Sequence, residues 1–156
     1  MQVIPLPSDT SARTGFTHLV VLTHPDLTQA TLAAAQTIAL LNVKAGDSVW
    51  RCLVVLKTPF KNSADAAFNT TAAVIGDGGD TARFLASQEL NENGTEVIYG
   101  VNPAAKAPFV YTVDDTIDIV VSSMAAKALV DLDTGELHVY LGVSRGASLS
   151  REIKVA

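Results

Sequence analysis

Little in this chain serves covalent or metal chemistry. Cysteine occurs once, at Cys52, which excludes an intrachain disulfide and a cysteine-based zinc cluster. Cys52 lies inside the apolar run Val49-Trp50-Arg51-Cys52-Leu53-Val54-Val55-Leu56, with no neighbouring histidine or helix start to activate a thiol. It reads as a small buried core residue. Aromatic residues make up only 6% of the chain, few for a surface that must grip sugars. Lys and Arg are scattered, with Lys57 and Lys61, and Arg145 and Arg151, the nearest to pairs, and the formal charge is −5. Nucleic acid and anionic membrane surfaces are therefore poor partners. No apolar run approaches a membrane span. The amino terminus has no basic start followed by a long apolar stretch, so no signal peptide is expected. On that expectation the sequons Asn69-Thr70-Thr71 and Asn93-Gly94-Thr95 are chance matches.

Catalytic constellations are also missing. His18 alternates with apolar neighbours, His24 precedes a proline, and His138 alternates out of an apolar run. None belongs to a His-Glu-x-x-His pattern, and Ser144-Arg145-Gly146-Ala147-Ser148 has the wrong spacing for a nucleophile elbow. These histidines read as surface or satisfied strand residues, and the expectation is a protein that is not an enzyme and uses no cofactor.

What the chain does have is apolar residue, 48% of 156 positions, enough to bury one core. Short β-branched runs recur about every eight to twelve residues with turn signals between them, the spacing of a β-sandwich or barrel. Phe16 to Thr23 is the first strand, broken by His24-Pro25-Asp26. Asp26 with Gln29 resembles a capping box, so residues 27–35 read as irregular or one helical turn, with a strand from about 36. That strand enters Lys44-Ala45-Gly46-Asp47 as a hairpin would. Val49 to Lys57 is the strongest strand and reads as central, with Trp50 expected in its core. Phe68 to Ile75, Thr95 to Tyr99, Phe109 to Val113 and Thr116 to Val121 follow. Ala128-Leu129-Val130 and Leu137 to Val143 make a second hairpin-like pattern around Asp131 to Glu136, and Glu152 to Val155 reads as a short edge strand. Residues 16–156 are expected as one β-sandwich domain. Residues 1–15, with Pro5 and Pro7, read as an extended arm whose Val3, Ile4 and Leu6 reach a neighbour or a larger shell, for instance by adding a strand to an exposed edge. A frayed end is the other reading.

Gly76-Asp77-Gly78-Gly79-Asp80 follows a strand and demands its own explanation. A phosphate loop would end in Gly-Lys-Ser/Thr, whereas Asp80-Thr81-Ala82 stands here, and two aspartates would repel phosphate. The dinucleotide fingerprint fails on spacing. Asp77 and Asp80, with Asp114 or Asp115, could give calcium hard oxygen ligands, but the EF-hand spacing is absent and aspartate beside glycine is ordinary turn chemistry. Gly76, Gly78 and Gly79 are expected to serve backbone geometry, Asp77 and Asp80 to form a structural turn, and calcium is the alternative. Thr81 to Gln88 reads as a helical turn before a strand resumes.

The order of four segments, "TIALLNVKAGDSVWRCLVVLKTPF", "AAVIGDGGDTARFLASQELNENGT", "DDTIDIVVSS" and "DTGELHVYLGV", resembles a β-sandwich family of tailed-bacteriophage virion proteins, notably capsid decoration proteins. The resemblance spans residues 36–143. It implies an all-β, jelly-roll-like antiparallel sandwich on the virion surface, made in the host cytoplasm. It further implies a shell-stabilising homo-oligomer, a trimer, with the major capsid protein as partner. A second function class is a carbohydrate- or receptor-binding module of a phage tail, using Trp50, Tyr99, Tyr111 or Tyr140 as stacking platforms.

Overall fold

A computed structural model describes residues 1–91 and 108–146, together with the backbone of 97–100. Among the described residues ten strands form two antiparallel sheets. They are β1 (Gln2–Pro5), β2 (His18–Thr23), β3 (Gln36–Val43), β4 (Ser48–Lys61), β5 (Ala72–Gly76), β6 (Leu85–Glu89), β7 (Val97–Gly100), β8 (Phe109–Val110), β9 (Asp115–Ser122) and β10 (Thr134–Ser144). One sheet runs β1-β2-β10-β4-β7, with β8 also on β4, and the other runs β3-β9-β5-β6. Without β1 and β8, the orders 2-10-4-7 and 3-9-5-6 are those of a double Greek key, the jelly roll. The expected all-β sandwich is therefore the observed fold. The edge strand read at Glu152 to Val155, the turn at Asn102-Pro103 and the sequon at Asn93 lie outside the described residues.

The core follows from alternation. On β10, Leu137, Val139 and Leu141 are fully buried and Val143 nearly so, and they oppose Leu56, Val54, Cys52 and Val49 of β4. From the other sheet Ile75, Ile117, Ile119 and Val121 meet them, also fully buried. Each such aliphatic side chain contributes about 1.5–3 kcal/mol relative to exposure. Burial pushes the Cys52 thiol up to about 12, so it is the inert core residue the sequence suggests.

Neither expected hairpin forms. β3 lies in one sheet and β4 in the other, so Lys44 to Asp47 is a crossing. Ala128 to Val130 is not a strand, since Leu129–Asp131 is a 3-10 turn, and β9 and β10 lie in different sheets. Turn chemistry reverses a chain without saying in which sheet it resumes. Similarly, the capping box after β2 is Thr23 with Asp26, whose Oδ2 accepts from Thr23 N at 2.8 Å. Residues 81–84 are a turn with no α-helix, and Leu85 begins β6.

Residues 1–15 are not a free arm. β1 pairs with β2 of the same chain, with Ile4 opposite Leu19, and the Met1 ammonium pairs with Asp26. Leu6 N donates to Thr17 O at 2.8 Å, which fixes the alternation: Ile4 and Gln2 bond inward, while Val3 and Pro5 face the free edge. Pro5 is tolerated because the donor it lacks would point outward. Ser8–Thr14 then forms a short helix, α1, that closes at Gly15 with φ +78°. Arg51 Nη1 caps its end by donating to Thr14 O at 2.7 Å.

Gly135, at the start of β10, has φ +140°, and a Cβ there would overlap the Phe60 ring, 2.5 Å from Cγ. Gly135→Ala is expected to destabilise the fold by about 3 kcal/mol through backbone strain and overpacking. Urea unfolding of the two proteins measures the difference.

Candidate functional site

The glycine–aspartate segment sits at one end of the sandwich, where β5 turns into β6. At Gly76 the chain folds so closely on itself that a Cβ would overlap the Asp80 carbonyl oxygen and lie 2.6 Å from that of Thr81. Only glycine fits there. The expectation for the other two glycines holds less strongly. Neither has a left-handed φ, and an added Cβ would lie 3.4 Å from Asp115 Oδ1 at Gly78 and 3.3 Å from Arg83 Nη2 at Gly79.

Asp77 is 2% exposed. Its Oδ1 accepts from Gly79 N at 3.0 Å, Asp80 N at 2.9 Å and Arg83 Nη2 at 3.1 Å. Its Oδ2 accepts from Arg83 Nε at 2.5 Å and the Tyr111 hydroxyl at 3.2 Å. Burial alone would raise this carboxyl, but the Arg83 bonds and the backbone N–H groups outweigh it and hold it below the ordinary 3.8. Five donors occupy the roughly four lone-pair sites of a carboxylate. No acceptor capacity is left for a cation. Asp80 turns back on its own loop, accepting from Ala82 N at 3.1 Å. Asp114 pairs with Lys44 at 2.7 Å, and Asp115 accepts from Thr116 N at 2.8 Å. Among the described residues no three acidic, histidine or cysteine side chains converge as a ligand set. The segment is a corner built around one buried ion pair.

A second buried carboxylate stands beside it, one the sequence reading did not single out. Asp47 is 3% exposed and accepts from Lys44 N at 3.0 Å, Arg145 Nη1 at 2.6 Å and Gly146 N at 2.9 Å. Burial raises its pKa, and the Lys44 N–H, Arg145 and Gly146 together bring it below the ordinary value. Tyr111 joins the two aspartates. Its backbone pairs with Gly46 and Asp47 at 2.8 and 2.9 Å, and its hydroxyl reaches Asp77. Phe109 stacks edge-on against it at 4.9 Å and carries the Arg83 guanidinium 3.8 Å above its own ring.

The aromatic candidates separate clearly. Tyr111 is 3% exposed and cannot be a platform. Trp50 is 38% exposed, which overturns its expected place in the core. The reason is a β-bulge: Val143 opposes Val49 and Gly142 opposes Arg51, so Trp50 is the extra residue and both Trp50 and Arg51 point outward. Its ring lies over Gly15 and Gly142, where an added Cβ would come within 2.8 and 3.4 Å of it. Tyr140 is half-buried beside Phe16, with ring centres 5.8 Å apart. The side chain of Tyr99 lies outside the described residues. The histidines stay structural: His18 shares a 2.8 Å hydrogen bond with Thr17, and His138 one of 2.7 Å with Glu136. His24 opens the 3-10 turn after β2.

The class defined by this geometry is a jelly-roll sandwich whose buried polar groups fasten its connections. No protein-family model matches the chain, and no curated protein matches it. Among solved structures it is similar to a chain titled "Cyanophage Pam1 capsid asymmetric unit", at 19% identity over 80% of this chain and 78% of that one, with a TM-score of 0.49.

Asp77→Asn leaves Arg83 facing an uncharged group and is expected to cost about 3–5 kcal/mol near neutral pH. The folded carboxyl titrates below its unfolded value of 3.8. Its contribution is therefore complete above that value and is lost as pH falls through the depressed folded pKa. Urea midpoints measured from neutral to acid pH should fall less steeply below 3.8 in Asp77→Asn than in the parent.

Proposed function

We propose that this chain is a phage virion structural protein, a capsid decoration protein that binds the outer shell, associates with copies of itself as a trimer and with the major capsid protein, and catalyses nothing. One observation carries the reading: the described residues of the four segments whose order resembles the decoration family fold, in that order, into the strands and crossings of a single jelly roll. The reactive side chains support it as well. Both buried aspartates are spent on fastening loops, and the single thiol is locked in the core. A shell-stabilising protein draws its binding energy from broad surfaces made of many modest contacts. The amino-terminal segment contributes the exposed Val3 and the free edge of β1 to such contacts. That edge carries the Val3 N–H but no donor at Pro5, so any added strand is short.

A second reading, a saccharide- or receptor-binding tail module, draws support from the exposure of Trp50 alone. A glycan array on which Trp50→Ala abolishes a specific signal would promote it over the first.

The decoration reading is tested on purified virions and in solution. Light scattering should give three times the chain mass, and peptide mapping should find the chain in intact particles. Deletion of residues 2–12 should leave the sandwich folded by circular dichroism while weakening self-association or particle binding. A monomer absent from virions would overturn the proposal.

A further inference from the structure

The outer face of the β3-β9-β5-β6 sheet is plain. Ile117, Ile119 and Val121 of β9 and Ala73 and Ile75 of β5 are buried against the core, so the residues that alternate with them form the outer surface. They are small or β-branched, as in the row of Thr37, Val120 and Val74, which oppose one another across β3, β9 and β5. The outward positions of these three strands hold no lysine, arginine or aromatic residue.

One charge stands on this plate. Asp118, midway along β9, faces outward between Ala39 of β3 and Gly76 of β5, and neither neighbour has a side chain that could reach it. It is half-buried and has no hydrogen-bond or ion-pair partner among the described residues. Asp9 and Asp131, whose carboxylates also lack one, are exposed to water. A partly desolvated carboxylate without a partner is unfavourable, and a cation supplied from outside relieves it.

The chain itself carries such a cation. Every other described lysine or arginine is engaged within the fold, whereas Arg13 is exposed and has no partner among the described residues. Arg13 lies in the last turn of α1, a helix that buries none of its residues in its own chain. That turn closes at Gly15, against which the ring of Trp50, 38% exposed, is packed. Arginine and tryptophan are the residues that most often dominate interfaces. A projection with one cation and one aromatic ring matches, in shape and charge, a plate of small side chains with one unpaired carboxylate.

We propose that the end of α1 and Trp50 of one copy seat on the outer face of the β3-β9-β5 sheet of the next copy, with Arg13 paired to that copy's Asp118. The inference rests on the self-association in the decoration reading and names its surfaces. The two surfaces differ, so the contact is heterologous, and it closes a ring when successive copies are related by a third of a turn. Two plates would not pair with each other, since that would set Asp118 against its own copy.

The full chain and its variants are compared by light scattering and sedimentation at low ionic strength. Arg13→Asp and Asp118→Arg should each weaken self-association about tenfold or more, and the double variant with the charges exchanged should recover most of the loss. Trp50→Ala should weaken it as well, with no saccharide present. Circular dichroism and melting temperature identify any variant that misfolds. Should Asp118→Arg do so, the nearly isosteric Asp118→Asn, combined with Arg13→Gln, should cost less than the sum of the two single changes. A monomeric parent chain would overturn this interface together with the trimer. An oligomer that none of these variants weakens, or an exchanged pair no better than the single variants, would overturn the interface alone. Loss of particle binding with self-association intact would assign the plate to the shell and defeat the proposal.

Discussion

In a jelly roll most consecutive strands belong to different sheets, so nearly every connection must cross a gap of about 10 Å between the layers. A crossing has no ladder to satisfy its backbone groups, yet it lies against the core, where unpaired N–H groups are costly. Here the crossing from β3 to β4 hands its donors to Asp47, and the turn from β5 to β6 hands its donors to Asp77. Each carboxylate is neutralised by one arginine, Arg145 and Arg83 respectively. The Tyr111 segment ties both to the same end of the sandwich. The regular part of the fold rests on these two irregular, charged points.

The strands were legible from composition and alternation because burial on one face imposes a period of two. β3 starting at Gln36, central β4 and the alternating Leu137 to Val143 needed nothing more. What could not be read was anything decided by partners far along the chain. The hairpin reading failed at Lys44 to Asp47 because sheet membership is a long-range property. Trp50 was misplaced because a bulge shifts the alternation by one residue, and the bulge exists only in register with Gly142. Helix α1 has no buried residue and therefore no apolar stripe to reveal it. Of the polar corner, Asp77 drew attention through its glycines. Asp47 did not, because its defining partner, Arg145, is nearly a hundred residues away.

The two ends of the sandwich follow different physical logic. At the corner end, polar groups are buried and fully matched, an arrangement that rigidifies and offers nothing to a visitor. At the other end, long connections enclose space, and one amide there is matched on its nitrogen but not on its oxygen. Between them the outer face of the β2–β10–β4 sheet carries Trp50, Tyr140 and His138, partly roofed by Phe16 and α1.

The position of β10 has a consequence for how the protein is made. It is the last of the described strands to leave the ribosome, yet it lies between β2 and β4 and pairs with both along most of its length. Until it arrives, β2 and β4 have no common neighbour, and each presents an open edge to solvent. The first sheet cannot close during synthesis by adding strands in order, and must wait for a late insertion at its centre. Such non-local closure is slow and leaves nascent edges open to wrong pairing. Any cell producing many copies at once would need these chains shielded for that interval, by spacing between ribosomes or by a holding chaperone.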